Sequence, residues 1–241
     1  MINHGIDTLD LVDSEVEEEY TFGVNEFKMN KDFVLGIPFY RFYYDESKVD
    51  FILQNLKDLQ YRHNDTNWIW TGVKEDGVSG SDLYKLPQFK ELFDWMSKCL
   101  DEVAKDMRLT SKLVINSAWS NLNKPGDYFY THTHANCFVS SNYYASGSSN
   151  DKTVWMMENP YFHGTNIRPC GNSYDEEDQK TYFLVHEEAT ESGKFVVFPP
   201  MIAHHATPNT SNEDRLTIAA NAFPTGLINA GGVSRLHVEV L

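Results

Sequence analysis

Apolar residues recur along this chain with two different periods, and the change falls near residue 112. Before it, Val49, Ile52, Leu53, Leu56 and Leu59 repeat at close to 3.6 residues, which predicts an amphipathic helix capped by Asp45 or Ser47. A second helix is expected to open at Leu86-Pro87 and to carry Phe89, Leu92, Phe93, Met96, Leu100, Val103 and Met107 on one face. Proline there suits a first helical turn, where a backbone N–H has no partner to lose. Ahead of both helices, the aromatic and β-branched stretch from Phe33 to Tyr43 reads as a strand.

From Lys112 onward the period falls to two. Strands are expected at 113–122, 128–133, 138–145, 153–158, 180–186, 194–198, 204–207 and 216–223, separated by turns such as Asn123-Lys-Pro-Gly and Gly147-Ser-Ser-Asn. Eight short strands with regular turn signals predict a sandwich or barrel, and two amphipathic helices ahead of them predict a buttress against one sheet face. The fold expected is mainly β with flanking helices. Residues 1–30 carry the acidic run Asp13 to Glu19 and read as a solvated lead-in, leaving residues 31–241 as one domain. Within it the helical buttress spans 45–110 and the β core 112–225. The stretch from Tyr161 to Gln179 reads as a long loop of the kind that forms lids.

Composition narrows the function. Twenty basic residues against 35 acidic give a net charge of −15, which repels a phosphate backbone, so no nucleic-acid partner is expected. Cys99, Cys137 and Cys170 are sparse and contain no C-x-x-C, which reads as reduced thiols in a cytoplasm. The N-terminus shows no basic-then-apolar signal pattern, and no run approaches the roughly 18 apolar residues of a spanning helix. A cytoplasmic protein without a membrane partner is expected; a homodimer is left open.

The chemistry concentrates in histidines. His132 and His134 stand one residue apart where a strand meets a loop, and His204 follows the apolar strand that ends at Pro199-Pro200. Alternate residues of a strand share a face, so His-x-His aims two imidazoles at one point, and a third from a distant strand completes a facial set. His205 should face away from that point. The second position of the usual two-histidine, one-carboxylate triad is occupied by His134, and Asp127, five residues before His132, is a poor substitute. Three neutral ligands leave the ion with one more positive charge. On the strand after His204, Arg215, Thr217 and Ala219 share one face. An inward Arg215 needs an anionic partner, which a dicarboxylate would supply; otherwise Arg215 sits at an edge and pairs with Glu213 or Asp214.

Taken together, these segments resemble the Fe(II)- and 2-oxoglutarate-dependent oxygenases, in particular a branch of bacterial and phage oxygenases near the prolyl-hydroxylase type. The resemblance rests on Ala118-Trp119-Ser-Asn121, on Gly126-Asp-Tyr leading into His132-Thr-His134, on Val139-Ser-Ser-Asn-Tyr-Tyr144, and on the closing Gly193 to Pro200, His204, Pro208-Asn-Thr-Ser and Arg215-Leu-Thr217. It covers roughly residues 33–225. It implies a double-stranded β-helix, or jelly roll, with Fe(II) on His132, His134 and His204. It implies 2-oxoglutarate held by Arg215, Thr217 and Tyr144, with Asn121 as a further contact. The implied activity is a hydroxylase-type dioxygenase, in which O2 decarboxylates 2-oxoglutarate oxidatively and a C–H bond of a small-molecule or peptide substrate is hydroxylated. Two other readings stand beside it. A cupin-like metal protein shares the Gly-x5-His-x-His opening, but Phe138 and Val139 stand where its glutamate belongs. A non-catalytic β-helix binding module would keep the fold alone.

Overall fold

A computed structural model describes residues 29–34, 36–72, 79–160, 183–228, 231–232 and 234–240. The acidic lead-in and the Tyr161–Gln179 loop, with Cys170, lie outside the described residues apart from the last two of the lead-in, as do residues 73–78.

The two helices form where the 3.6 period places them. Helix α1 spans Glu46–Lys57, and Asp45 caps it by accepting from the Ser47 backbone N–H at 3.0 Å. Helix α2 spans Lys90–Asp106, entered through a 3-10 turn at Pro87–Phe89. Their apolar stripes (Val49, Ile52 and Leu56 from α1; Leu92, Phe93, Met96, Leu100 and Val103 from α2) are buried in the larger of two core clusters. Each such side chain contributes about 1.5–3 kcal/mol by leaving water.

The stretch expected as one strand over 33–43 is a hairpin: β1 (Asn30–Val34) and β2 (Ile37–Tyr43) pair antiparallel. Gly36, at φ +75°, supplies the left-handed residue of the bend. A second hairpin, β3 (Tyr61–Asn64) and β4 (Asn67–Trp70), has no counterpart among the sequence expectations. Four residues per strand are too few to display a period. The remaining strands are β5 (Lys112–Asn123), β6 (Phe129–His132), β7 (Val139–Tyr144), β8 (Lys152–Glu158), β9 (Phe183–Ala189), β10 (Lys194–Phe198), β11 (Ala203–Ala206), β12 (Arg215–Ile228) and β13 (Leu236–Val238). The last is short and was not expected; it pairs with the far end of β12, which runs longer than 216–223.

Among the described residues the strands form two sheets, a nine-stranded one in the order β1-β2-β10-β7-β12-β5-β4-β3 with β13 on β12, and a four-stranded one in the order β6-β11-β8-β9. The named pairings are antiparallel. This is the jelly-roll arrangement. Alternation decides what each face of the large sheet meets. Phe195 and Val197 of β10, with Leu216, Ile218 and Ala220 of β12, face the helices. Val196 and Phe198 of β10 face the other way, into a small cluster with Phe39, Tyr144, Trp155 and Ile202 between the sheets. On β12 the same parity sends Arg215, Thr217 and Ala219 into the inter-sheet space, where they line a cavity.

Candidate metal centre and anion pocket

Strand register brings the histidines together. His132 on β6 is directly opposite His204 on β11, and His134 follows two residues later, its backbone N–H donating to the Pro200 carbonyl at 2.9 Å. One ring nitrogen from each of His132, His134 and His204 lies within 4.8 Å of the other two. The hydrogen bonds on the far side of each ring decide which nitrogen is free. His132 Nδ1 lies 2.9 Å from the Tyr130 carbonyl oxygen, and His204 Nδ1 lies 3.1 Å from that of Ile202. A carbonyl oxygen can only accept, so each Nδ1 carries the proton. His134 Nδ1 meets Asn221 Oδ1 at 2.7 Å, with the Ser140 hydroxyl bridging both at 2.8 and 2.9 Å. All three Nε2 atoms are thereby left as bare lone pairs.

Two of them, on His132 and His134, stand 3.3 Å apart. Lone pairs at that distance repel unless a cation lies between them, and nitrogens sharing one ion at about 2.1 Å would stand roughly 3.0–3.4 Å apart. Burial lowers the pKa of all three imidazoles, that of His204 to about 3, so the rings are neutral and free to ligate at ordinary pH. Aromatic rings enclose them. Trp119 stacks on His134 at 5.5 Å, Phe129 meets His132 edge-on at 4.6 Å, and Phe198 meets His204 at 4.9 Å. The residues present fit a single divalent ion.

His205 is half-buried on β11, with Nδ1 3.5 Å from the Thr131 hydroxyl, and is not one of the three converging groups. Asp127 closes a turn instead, its carboxylate accepting from the Lys124 N–H at 3.0 Å.

The cavity that contains the triad runs inward to Arg215. Asn121, Asn123, Tyr144, Thr153, Arg215 and Thr217 line the same cavity as the triad. Arg215 is 1% exposed, which overturns the edge-strand alternative, and it does not pair with Glu213 or Asp214. Its Nη2 donates to the Thr207 carbonyl at 2.7 Å, while its Nη1 is buried without a hydrogen-bond partner, 4.0 Å from Asp151 Oδ2. Thr217 lies between Asn121 and Tyr144 in register. Burial pushes the Tyr144 phenol far up, so it stays protonated and donates to the Thr153 hydroxyl at 2.9 Å. Asn121 Oδ1 and Asn123 Nδ2 are also buried and unpartnered. Polar atoms left this way are costly unless a ligand completes them.

Several of these residues escape a reading of the sequence. Asn123 follows Asn121 at the strand period and was legible by that rule. Ser140 and Trp119 lie inside motifs that carry the resemblance. Asn221 and Asp151 have no local signal, because each meets its partner across more than sixty residues of chain.

Fold and site together describe a jelly roll whose inter-sheet cavity is lined by three converging histidines and a buried arginine. Residues 117–221, the stretch from β5 to Asn221 of β12, match the family model described as "Putative 2OG-Fe(II) oxygenase". The matched stretch carries His132, His134, His204 and Arg215. Among solved structures the chain is similar to the non-heme α-ketoglutarate-dependent epimerase SnoN of nogalamycin biosynthesis, at 11% identity and TM-score 0.53 over 81% of this chain and 82% of that one. HygX from Streptomyces hygroscopicus, solved with nickel and 2-oxoglutarate, gives 11% identity and TM-score 0.52 over 84% and 92%. A 2OG-Fe(II) family oxidoreductase from Burkholderia pseudomallei gives 10% identity and TM-score 0.51 over 75% and 79%. Likenesses at such identity speak for the fold. No curated protein matches the chain by sequence. No helix of the described residues is long and apolar enough to cross a membrane.

Proposed function

We propose that the chain is an Fe(II)- and 2-oxoglutarate-dependent dioxygenase that binds iron through His132, His134 and His204 and hydroxylates a C–H bond of a small-molecule or peptide substrate. The observation that carries this reading is the set of three Nδ1–H groups spent on oxygen acceptors, with three bare Nε2 atoms converging beside an arginine whose Nη1 awaits an anion. Bound at the triad, Fe(II) would supply the activation of O2 and the oxidative decarboxylation of the 2-oxo acid. The protein's own residues do the rest. Arg215 Nη1 and the Thr217 hydroxyl hold the distal carboxylate of 2-oxoglutarate, with Tyr144 and Asn121 beside them. That fixes the length of chain reaching back to the metal and so orients the 2-oxo end. Trp119, Phe129 and Phe198 exclude bulk water from the ion. Tyr130 O, Ile202 O and Asn221 hold the imidazoles in the ligating tautomer. Residues 31–241 act in this reading as one catalytic domain, working in the cytoplasm with no nucleic-acid partner.

The test is anaerobic. Adding 2-oxoglutarate to the Fe(II)-loaded protein should produce the weak visible charge-transfer band of a chelated 2-oxo acid, and Arg215→Ala should weaken it. Demonstrable iron binding without a band in the wild type would refute the oxygenase reading in favour of a cupin-like or non-catalytic β-helix.

A further inference from the structure

Beside Arg215, which lines the cavity, stands a carboxylate where an anion pocket would ordinarily want none. Asp151, immediately before β8, is fully buried, and its Oδ2 has no hydrogen-bond partner. Arg215 Nη1, also buried and also unpartnered, lies 4.0 Å away. Two opposite charges this well buried would gain by closing to hydrogen-bond distance. Each is tethered from behind instead. Asp151 Oδ1 accepts from the Thr210 N–H and the Thr210 hydroxyl, both at 3.0 Å. Arg215 Nη2 is committed to the Thr207 carbonyl. The loop from Thr207 to Thr210 therefore holds both members of the pair and keeps a gap between them.

That gap has a chemical meaning. In the empty site Asp151 offsets the charge of Arg215, which spares a lone guanidinium the full cost of burial. When a carboxylate arrives at Nη1, the same Asp151 charge opposes it. Directly across the β5–β12 ladder from Arg215 stands Asn123, whose Nδ2 is a second unpartnered donor lining the cavity. An anion in the cavity thus meets two free donors, with one negative charge standing beside Arg215.

We propose that Asp151 is a positioning residue that sets the co-substrate affinity. It holds Arg215 ready and neutralised, and it weakens capture of a distal carboxylate by competing for the same guanidinium. This inference rests on the co-substrate reading above and concerns only the distal end of the 2-oxo acid, not its metal-bound end.

The experiment compares two ligands by calorimetry on anaerobic Fe(II)-loaded protein: 2-oxoglutarate, and 2-oxopentanoate, which has the same length but a methyl group for the distal carboxylate. Asp151→Asn keeps an acceptor for Thr210 and removes the charge. It should tighten 2-oxoglutarate by on the order of tenfold, about 1.4 kcal/mol, and leave 2-oxopentanoate unchanged. It should also lower the melting temperature of the ligand-free protein while enlarging the stabilisation by 2-oxoglutarate, since an unpaired Arg215 gains more from the ligand. Thr210→Val, which loosens the tether on Oδ1 and lets the carboxylate close on Nη1, should weaken 2-oxoglutarate. That second variant keeps the inference testable if Asp151→Asn does not fold. Equal or weaker 2-oxoglutarate binding in Asp151→Asn, or no weakening in Thr210→Val, overturns the inference while leaving the co-substrate reading intact. A wild type that binds metal but neither distinguishes the two ligands nor responds to Arg215→Ala overturns the reading itself.

Discussion

The claim that His134 ligates in place of a carboxylate is open to direct attack through the residues behind it. His134 Nδ1 is held by Asn221 Oδ1 at 2.7 Å and by the Ser140 hydroxyl at 2.8 Å, and these two also hydrogen-bond each other at 2.9 Å. Asn221 is 7% exposed and Ser140 is fully buried, so water has little access to replace either. Removing the partner of a ligating imidazole costs about 10–100-fold in metal affinity, or roughly 1.4–2.7 kcal/mol. Asn221→Ala leaves the Ser140 hydroxyl as an alternative acceptor, so its loss should sit near the low end, about tenfold. The double variant Asn221→Ala, Ser140→Ala leaves the ring free to rotate or change tautomer, and should approach the upper end. Competition of Co(II)-loaded protein against a chromophoric chelator reads the affinity, and the visible d–d spectrum reports whether a nitrogen ligand has left. Since neither residue touches the metal, a purely structural role would lower the melting temperature without moving the chelator titration. A folded double variant with wild-type metal affinity and an unchanged spectrum would refute the assignment of His134.

Three other outcomes follow from the same geometry. His204 has a folded pKa of about 3 against an unfolded value near 6.5, so the unfolded chain binds the extra proton first. Its stabilising contribution is complete above pH 6.5 and is lost as pH falls toward 3; the metal-free protein should lose urea resistance from pH 7 to pH 5, and His204→Asn should flatten that slope. Glu188 lies in a buried ion cluster with Arg41, His186 and Lys194, the last at 3.2 Å and 2% exposed. Burial alone would raise the Glu188 pKa, but hydrogen bonds from His186 and Arg41 outweigh it and hold it at about 2. Its contribution is thus present above about pH 4.5 and fades only as pH falls toward 2. Glu188→Gln removes the carboxylate that Arg41 and Lys194 share, leaving Lys194 only Glu191 at 3.5 Å, and should cost about 3–5 kcal/mol, a melting-temperature drop of roughly 6–20 °C by calorimetry; a shift under 2 °C would show the cluster to be dispensable. Finally, a Cβ on Gly147 would clash with the Thr190 carbonyl oxygen, so Gly147→Ala should destabilise by about 1–3 kcal/mol in denaturant titration, and a neutral result would mean the Thr190 backbone yields freely.

Much of this protein is written in its periods. The two helices and the long strands of the core are visible because each buries one face, so water imposes a repeat of 3.6 or 2 on the residues themselves. The same rule, applied to the order of residues alone, puts Arg215, Thr217 and Ala219 on one side of β12. It puts His132 and His134 on one side of their strand end as well. The short hairpin β3–β4 and strand β13 escaped because a strand of three or four residues has no period to read, and the bend at Gly36 split a stretch whose two arms look alike as sequence. What only the tertiary structure decided are the partnerships between remote residues. That His204 meets His132 is set by the register of β11 on β6. That Asn221 fixes the tautomer of His134 is set by β12 lying beside β7. That a buried aspartate stands opposite Arg215 is set by a loop joining β11 to β12. Hydrophobic burial is a property of each residue and leaves its mark locally, whereas a ligand set or an ion pair is a property of positions, and positions exist only once the sheets have closed.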